Sequence, residues 1–381
     1  MRKRMILPFG LIFVFIIQTF LVVGVSARPS AQWTFMIYVC GDNDLEKYWP
    51  DKNLPALESV GSTADVQFVA LVDLKTRMEG CQLQHVMKGY TEVVETYPEL
   101  NLGDPQVCIS FVNKVKQLYP ATKYILDFWN HGNGWDYFCY DESANDWLIL
   151  PELRQIVEAV GYIDIVAFDA CDMSQIDVYY EMFGHVGYLV GSEESVPGDG
   201  FPYDTNAQDL VNNPLQDART YAIEMVINYG QYYAGQGGLQ YATLSAIDAN
   251  QLLTLKNAFT TWTSEMYANL ATHKKKYTSA LSSAKKMWAT NYYVDMGDYM
   301  DKLLKQNIPP SLVTATQNVK SALTNAVIAY WNGKKMDVCQ GLTFYWAKSN
   351  YWKDPWRTRY LTEVSWGQVT GWAAFLDAYY G

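Results

Sequence analysis

Tyr124-Ile125-Leu126-Asp127-Phe128-Trp129-Asn130-His131-Gly132-Asn133-Gly134-Trp135 runs from a short apolar stretch straight into a glycine-rich turn. A run of that length without polar alternation reads as a strand buried on both faces, which belongs in a parallel sheet covered by helices. The same unit recurs on either side. Residues 33–39 form an apolar run that ends in Gly41-Asp42-Asn43-Asp44 and a helix start; residues 66–72 repeat the strand signal; residues 105–119 have helical spacing. Further on, 151–160 reads as a helix, 163–168 as a strand, 174–183 as a helix capped by Ser174 and ended by Gly184, and 188–191 as a strand. This alternation predicts an α/β domain with a mostly parallel central sheet.

A loop rich in Gly and Pro, residues 196–203, marks a change of style. Beyond it helical spacing dominates at 215–233, 250–270 and 312–330, with strand signals at 238–247 and 341–346. The expected division is a first domain over residues 28–204 and a mixed, mainly helical domain over 205–381 packed on it. Lys274-Lys275-Lys276 reads as a solvated face of the latter.

The chain has 381 residues, 49% of them hydrophobic and 18% charged, which excludes long disordered or fibrous stretches. Residues 1–27 open with Arg2, Lys3 and Arg4, continue as an apolar run and end in Val25-Ser26-Ala27, the pattern of a signal peptide cleaved after Ala27. The run is close to spanning length, so an uncleaved amino-terminal anchor is the alternative. Either reading puts the rest of the chain outside the cytoplasm, secreted or held on the outer surface. The net charge of −11 disfavours nucleic-acid phosphates as partners. Six cysteines without a CxxC pair support neither a disulfide scaffold nor a zinc ribbon, and the four histidines, at 85, 131, 185 and 273, have no metal-binding spacing.

Two turns then carry chemistry. His131 follows directly on one predicted strand, and Cys171, in Asp169-Ala170-Cys171, follows on another; the carboxyl ends of parallel strands are where open α/β sheets hold ligands. A thiol attacks a carbonyl as thiolate, and an imidazole beside it takes the proton or supplies one to a leaving amine. Gly132 lets a substrate carbonyl approach the backbone, so the N–H groups of Gly132 and Cys171 are the candidate oxyanion donors. The pair needs no third charged residue, and the sequence singles none out.

Four stretches in this order resemble the clostripain-like cysteine peptidases, relatives of caspases and legumains: Trp33-Thr34-Phe35-Met36-Ile37-Tyr38 with Asp42-Asn43-Asp44-Leu45; Asn130-His131-Gly132-Asn133-Gly134-Trp135; Phe168-Asp169-Ala170-Cys171-Asp172-Met173; and Ser192-Glu193-Glu194 with Pro197-Gly198-Asp199-Gly200-Phe201-Pro202-Tyr203. They cover residues 33–205. The resemblance implies a caspase-like three-layer sandwich and a cysteine endopeptidase that cuts peptide or protein substrates after a basic residue (P1 Arg or Lys). It puts Asp169 and Asp199 in the specificity pocket, though both also suit turns. Some members use calcium, for which Asp42 and Asp44 are candidates, while an Asx turn and a helix cap explain both without an ion. Glu193 and Glu194 fit either a solvated loop or the pocket rim. The competing class is a surface binding protein that keeps the fold without catalysis, using the 29 tyrosines and 13 tryptophans for contact. Members of the family are often processed just after the histidine; here Arg154, inside a predicted helix, is the only basic residue between His131 and Cys171.

Overall fold

A computed structural model describes residues 30–235, 239–287 and 292–381; the segment read as a signal peptide lies outside them. The strands are β1 (Ala31–Gly41), β2 (Val66–Leu74), β3 (Cys81–Met87), β4 (Tyr90–Tyr97), β5 (Ala121–Trp129), β6 (Phe138–Asp141), β7 (Asp146–Leu148), β8 (Ile163–Asp169), β9 (Val186–Gly191), β10 (Thr243–Asp248), β11 (Tyr293–Asp295), β12 (Val327–Asn332) and β13 (Thr343–Tyr345). Nine of them make one sheet in the order β12-β10-β9-β8-β5-β1-β2-β3-β4. Its centre, from β9 to β2, is parallel. Both margins are antiparallel.

Alternate side chains of β1 enter two different cores, as a period of two requires. Met36, Tyr38 and Cys40 join one; Trp33, Phe35, Ile37 and Val39 join the other. Helices Pro105–Leu118 and Leu150–Val160 cover the first face; helices Tyr203–Asn212 and Ala218–Gly235 cover the second. The result is the expected three-layer, caspase-like sandwich. Asp104 caps the first of these helices by accepting from Gln106 N–H at 2.8 Å, and Pro105 stands in the first turn, where no amide donor is missed.

The sheet does not stop at residue 205, where the sequence suggests a boundary. β10 pairs antiparallel with β9, with Ser245 opposite Gly191, and β12 pairs with β10. The backbone groups of β9 would otherwise form an open edge, and the second half of the chain satisfies them. That half also supplies the helix Ala218–Gly235 to one sheet face. The strand read at 341–346 is the short β13, which pairs with β11 outside the main sheet. Lys274, Lys275 and Lys276 lie exposed on the helix Leu270–Ser283, as expected. Among the described residues no helix is long and apolar enough to cross a membrane.

The expected helix at 174–183 is only Ile176–Tyr179 with a 3₁₀ turn after it, and Ser174 does not cap it. The Ser174 hydroxyl instead donates to Gly341 C=O at 2.8 Å, because β13 is laid against this segment.

Candidate active site

Parallel register brings the two turns together. Trp129 at the end of β5 is the partner of Asp169 at the end of β8, so His131 and Cys171 each lie two residues beyond a matched pair on adjacent strands. Adjacent strands run about 4.8 Å apart. Phe128 and Phe168 stack beneath the turns at 5.4 Å, and Phe138 meets Phe128 edge-on at 5.2 Å. Such pairs add about 0.5–1.5 kcal/mol each beyond their buried area. The floor under the two turns is therefore rigid.

His131, Cys171 and Asp169 line one cavity of about 160 Å³, together with Trp129, Val196 and Gly200. Asn130 fixes the histidine turn: its amide donates to Cys40 C=O and its Oδ1 accepts from Tyr140 N–H at 2.9 Å. The later part of the chain braces the same turn. Trp135 packs against Tyr345 and Tyr360 at 5.2 and 5.3 Å, Tyr293 donates to Asn133 C=O, and Arg359 pairs with Asp136. This role of residues beyond 205 has no local sequence signal.

His131 has a partner to which no sequence motif points. Its Nε2 lies 2.7 Å from Asp44 Oδ1, and that hydrogen bond holds the Asp44 carboxyl below its ordinary range. Among the described residues Asp44 caps no helix; the Asx turn belongs to Asn43, whose Oδ1 accepts from Leu45 N–H at 3.0 Å. The Asp44 side chain is 82% exposed, so water screens its charge. A buried aspartate in such a place is worth about 10⁴ in kcat; for Asp44→Asn we expect a loss of only about tenfold in kcat, with KM unchanged, measured by steady-state kinetics. A loss beyond about a thousandfold, or none, would contradict orientation by a solvated carboxylate.

All six cysteines are unpaired, and Cys171 is the one with access to solvent. Its Sγ accepts from Val196 N–H at 3.3 Å. Burial and the neighbouring Asp172 push the thiol up to about 12, against the pull of that N–H. The resting sulfur is a thiol and needs a base. Asp172, at φ +60°, holds the turn in a left-handed conformation that costs a non-glycine residue on the order of 1 kcal/mol. Gly132 is required by closeness: a Cβ there would lie 2.4 Å from Cys171 C=O. The ladder bonds Cys139 N–H to His131 C=O and Asn133 N–H to Tyr137 C=O straddle Gly132 and leave its own N–H outside the pairing.

The two specificity candidates part company. Asp169, 5% exposed, lines the cavity, with Oδ2 accepting from Phe201 N–H at 2.9 Å and from Tyr203 O–H at 3.1 Å. Asp199 is ion-paired with Lys52 and receives Tyr232 O–H at 3.3 Å; its neighbours Gly198 and Gly200 line the cavity. Glu193 and Glu194 are neither solvated nor at the rim, because the second half of the chain covers them. Glu193 Oε2 accepts from Gly341 N–H at 3.0 Å and Glu194 Oε1 from Ser195 N–H at 3.0 Å. Asp42 is buried, and its carboxylate lies within 4.8 Å of those of Asp73 and Glu99. Burial and like charges raise the Asp73 carboxyl to about 8.

The model of the clostripain family matches residues 37–379. The clostripain of Hathewaya histolytica is 27% identical over 221 residues; the match covers 47% of this chain and 42% of that protein's length. Among solved structures, a secreted cysteine protease from Bacteroides thetaiotaomicron in complex with an irreversible peptide inhibitor matches at 22% identity with a TM-score of 0.73, covering 90% of this chain and 99% of that one. An inactive zymogen protease from Parabacteroides distasonis matches at 21% identity, with the same TM-score and coverage. At these identities the structural likeness is one of fold.

Proposed function

Since the chain belongs to the clostripain family, we propose that it is a cysteine endopeptidase in which Cys171 is the nucleophile and His131 its base. The observation that carries this is the shared cavity: a partly exposed thiol and an oriented imidazole line one concave site at the ends of adjacent parallel strands. His131 takes the Cys171 proton as the sulfur attacks the carbonyl carbon of a bound peptide. The N–H groups of Gly132 and Cys171 receive the negative oxygen. The imidazolium then protonates the leaving amine, and the same base activates the water that cleaves the thioester. Burial disfavours the bare thiolate, so the imidazole is needed as the base.

The preferred substrates in this reading carry Arg or Lys at P1, whose cation meets Asp169 in the cavity. Asp199 assists only after exchanging Lys52 for the substrate. The test is a set of fluorogenic peptides differing only at P1: Arg and Lys should be turned over at least a hundredfold faster than Leu, and equal rates would end the reading. For calcium, Asp42, Asp73 and Glu99 offer oxygen donors of suitable hardness within 4.8 Å of one another.

Export with removal of residues 1–27, and no self-cleavage just after His131, complete the proposal. Arg154 lies in the helix Leu150–Val160 with its guanidinium held by Glu181 and Ser365, so it reaches an extended cleft only after local unfolding. Intact-mass analysis of the active, exported protein should give a chain beginning at Arg28 without cuts between residues 132 and 170. A fragment ending in that interval would contradict it.

A further inference from the structure

Behind Asp169 stands a second carboxylate that no part of the catalytic scheme uses. Asp127 of β5 is fully buried, two residues before Trp129. Its Oδ1 accepts from Asp169 N–H at 3.2 Å and its Oδ2 from Tyr203 O–H at 2.7 Å, while the same tyrosine oxygen is 3.1 Å from Asp169 Oδ2. A tyrosine has one O–H proton. It can be donated to one carboxylate at a time, so the second short contact is attractive only if a further proton sits on the pair. The hydrogen-bond partners of both groups among the described residues are uncharged: Tyr203 and the N–H groups of Phe201 and Asp169.

The titratable and charged groups around the pair are Tyr221, Tyr229 and Tyr233 from the helix Ala218–Gly235, Cys139 from β6, Cys171 and His131 from the active-site turns, and the Lys52–Asp199 ion pair on the adjoining loop. Among the described residues none places a free cation against the carboxylates. Burial raises both carboxyls, and the charge of Asp127 raises Asp169 further.

We propose that Asp127 is a positioning residue of the specificity pocket: it keeps a proton on the Asp127–Asp169 pair while the pocket is empty, and that proton leaves to solvent when a substrate cation enters. The inference rests on the reading of Asp169 as the partner of a basic P1 residue. It makes an empty pocket tolerable, since two bare carboxylates need not share one buried space, and it ties recognition of the cation to pH. Where the pair is protonated, each unit of falling pH weakens the response to a cationic side chain by up to about tenfold, without affecting a neutral one.

The experiment compares kcat/KM for two peptides that differ only in P1 arginine against citrulline, which has nearly the same shape and no charge, from about pH 5.5 to 9. The ratio cancels the pH dependence of the chemical steps, which are common to both peptides. In the wild type the ratio should climb with pH by up to about tenfold per unit and then level, mostly through KM. Asp127→Asn removes the neighbouring charge at constant shape and should move the climb to lower pH. Tyr203→Phe removes a donor and should move it higher. An arginine preference that stays flat with pH in the wild type would overturn the proton-holding pair and leave the basic-P1 reading standing. No arginine preference at any pH would overturn both. The wild-type profile decides even if neither variant folds.

Discussion

Cys171→Ala should leave less than about a thousandth of the wild-type peptidase activity, with the melting temperature changed by no more than a few degrees. Removing one member of a nucleophile–base unit costs about as much as removing the unit, on the order of 10⁶ in the strongest cases. Activity at more than a thousandth would mean that another group attacks the carbonyl. The fold should tolerate the change because Sγ makes one weak contact of consequence, with Val196 N–H at 3.3 Å, and the turn is held by backbone instead. Asp172 N–H donates to Glu194 C=O at 3.2 Å, and Ser174 N–H to Ser192 C=O at 2.8 Å. Thermal unfolding of the variant beside its kinetics separates lost chemistry from lost structure.

Asp169→Asn should lower kcat/KM for a P1-Arg peptide by about a hundredfold or more, while leaving a neutral P1 peptide within a few-fold. A guanidinium drawn into a buried pocket without its counter-charge loses several kcal/mol, far more than a neutral side chain loses from the same exchange. Asparagine keeps an oxygen to accept Phe201 N–H, so the Gly200 turn behind the pocket has no reason to open. Asp199→Asn should cost less, because Lys52 already neutralises that carboxylate at rest. Equal losses on the two peptides would show that Asp169 supports the turn and does not read the cation. A larger loss from Asp199→Asn would reverse the order of the two.

Much of the central sheet is legible in the amino-acid sequence. The apolar runs of β1, β2, β5, β8 and β9 are buried on both faces and so carry no polar alternation to confuse them. The marginal strand β4 is not legible in the same way, because Tyr90-Thr91-Glu92-Val93-Val94-Glu95-Thr96-Tyr97 lies at a half-exposed edge of the sheet and buries too little to write an apolar run. β3 pairs antiparallel with it through a turn at Gly89, φ +82°.

The order of strands and turns along the chain determined that an imidazole and a thiol stand at strand ends, because that placement depends on local sequence alone. Which strands are neighbours, and hence that His131 and Cys171 line one cavity, depends on the register of Trp129 against Asp169, a contact across 40 positions that no local pattern encodes. Asp44 reaches His131 across 87 residues, Tyr203 reaches Asp127 across 76, and Arg359 reaches Asp136 across 223. Each of these polar side chains also suits a turn or a solvated face, and only packing chooses between those fates. Local backbone preference writes strands and turns into sequence; the pairing of distant charges is decided by which surfaces the sheet and its helices bury together.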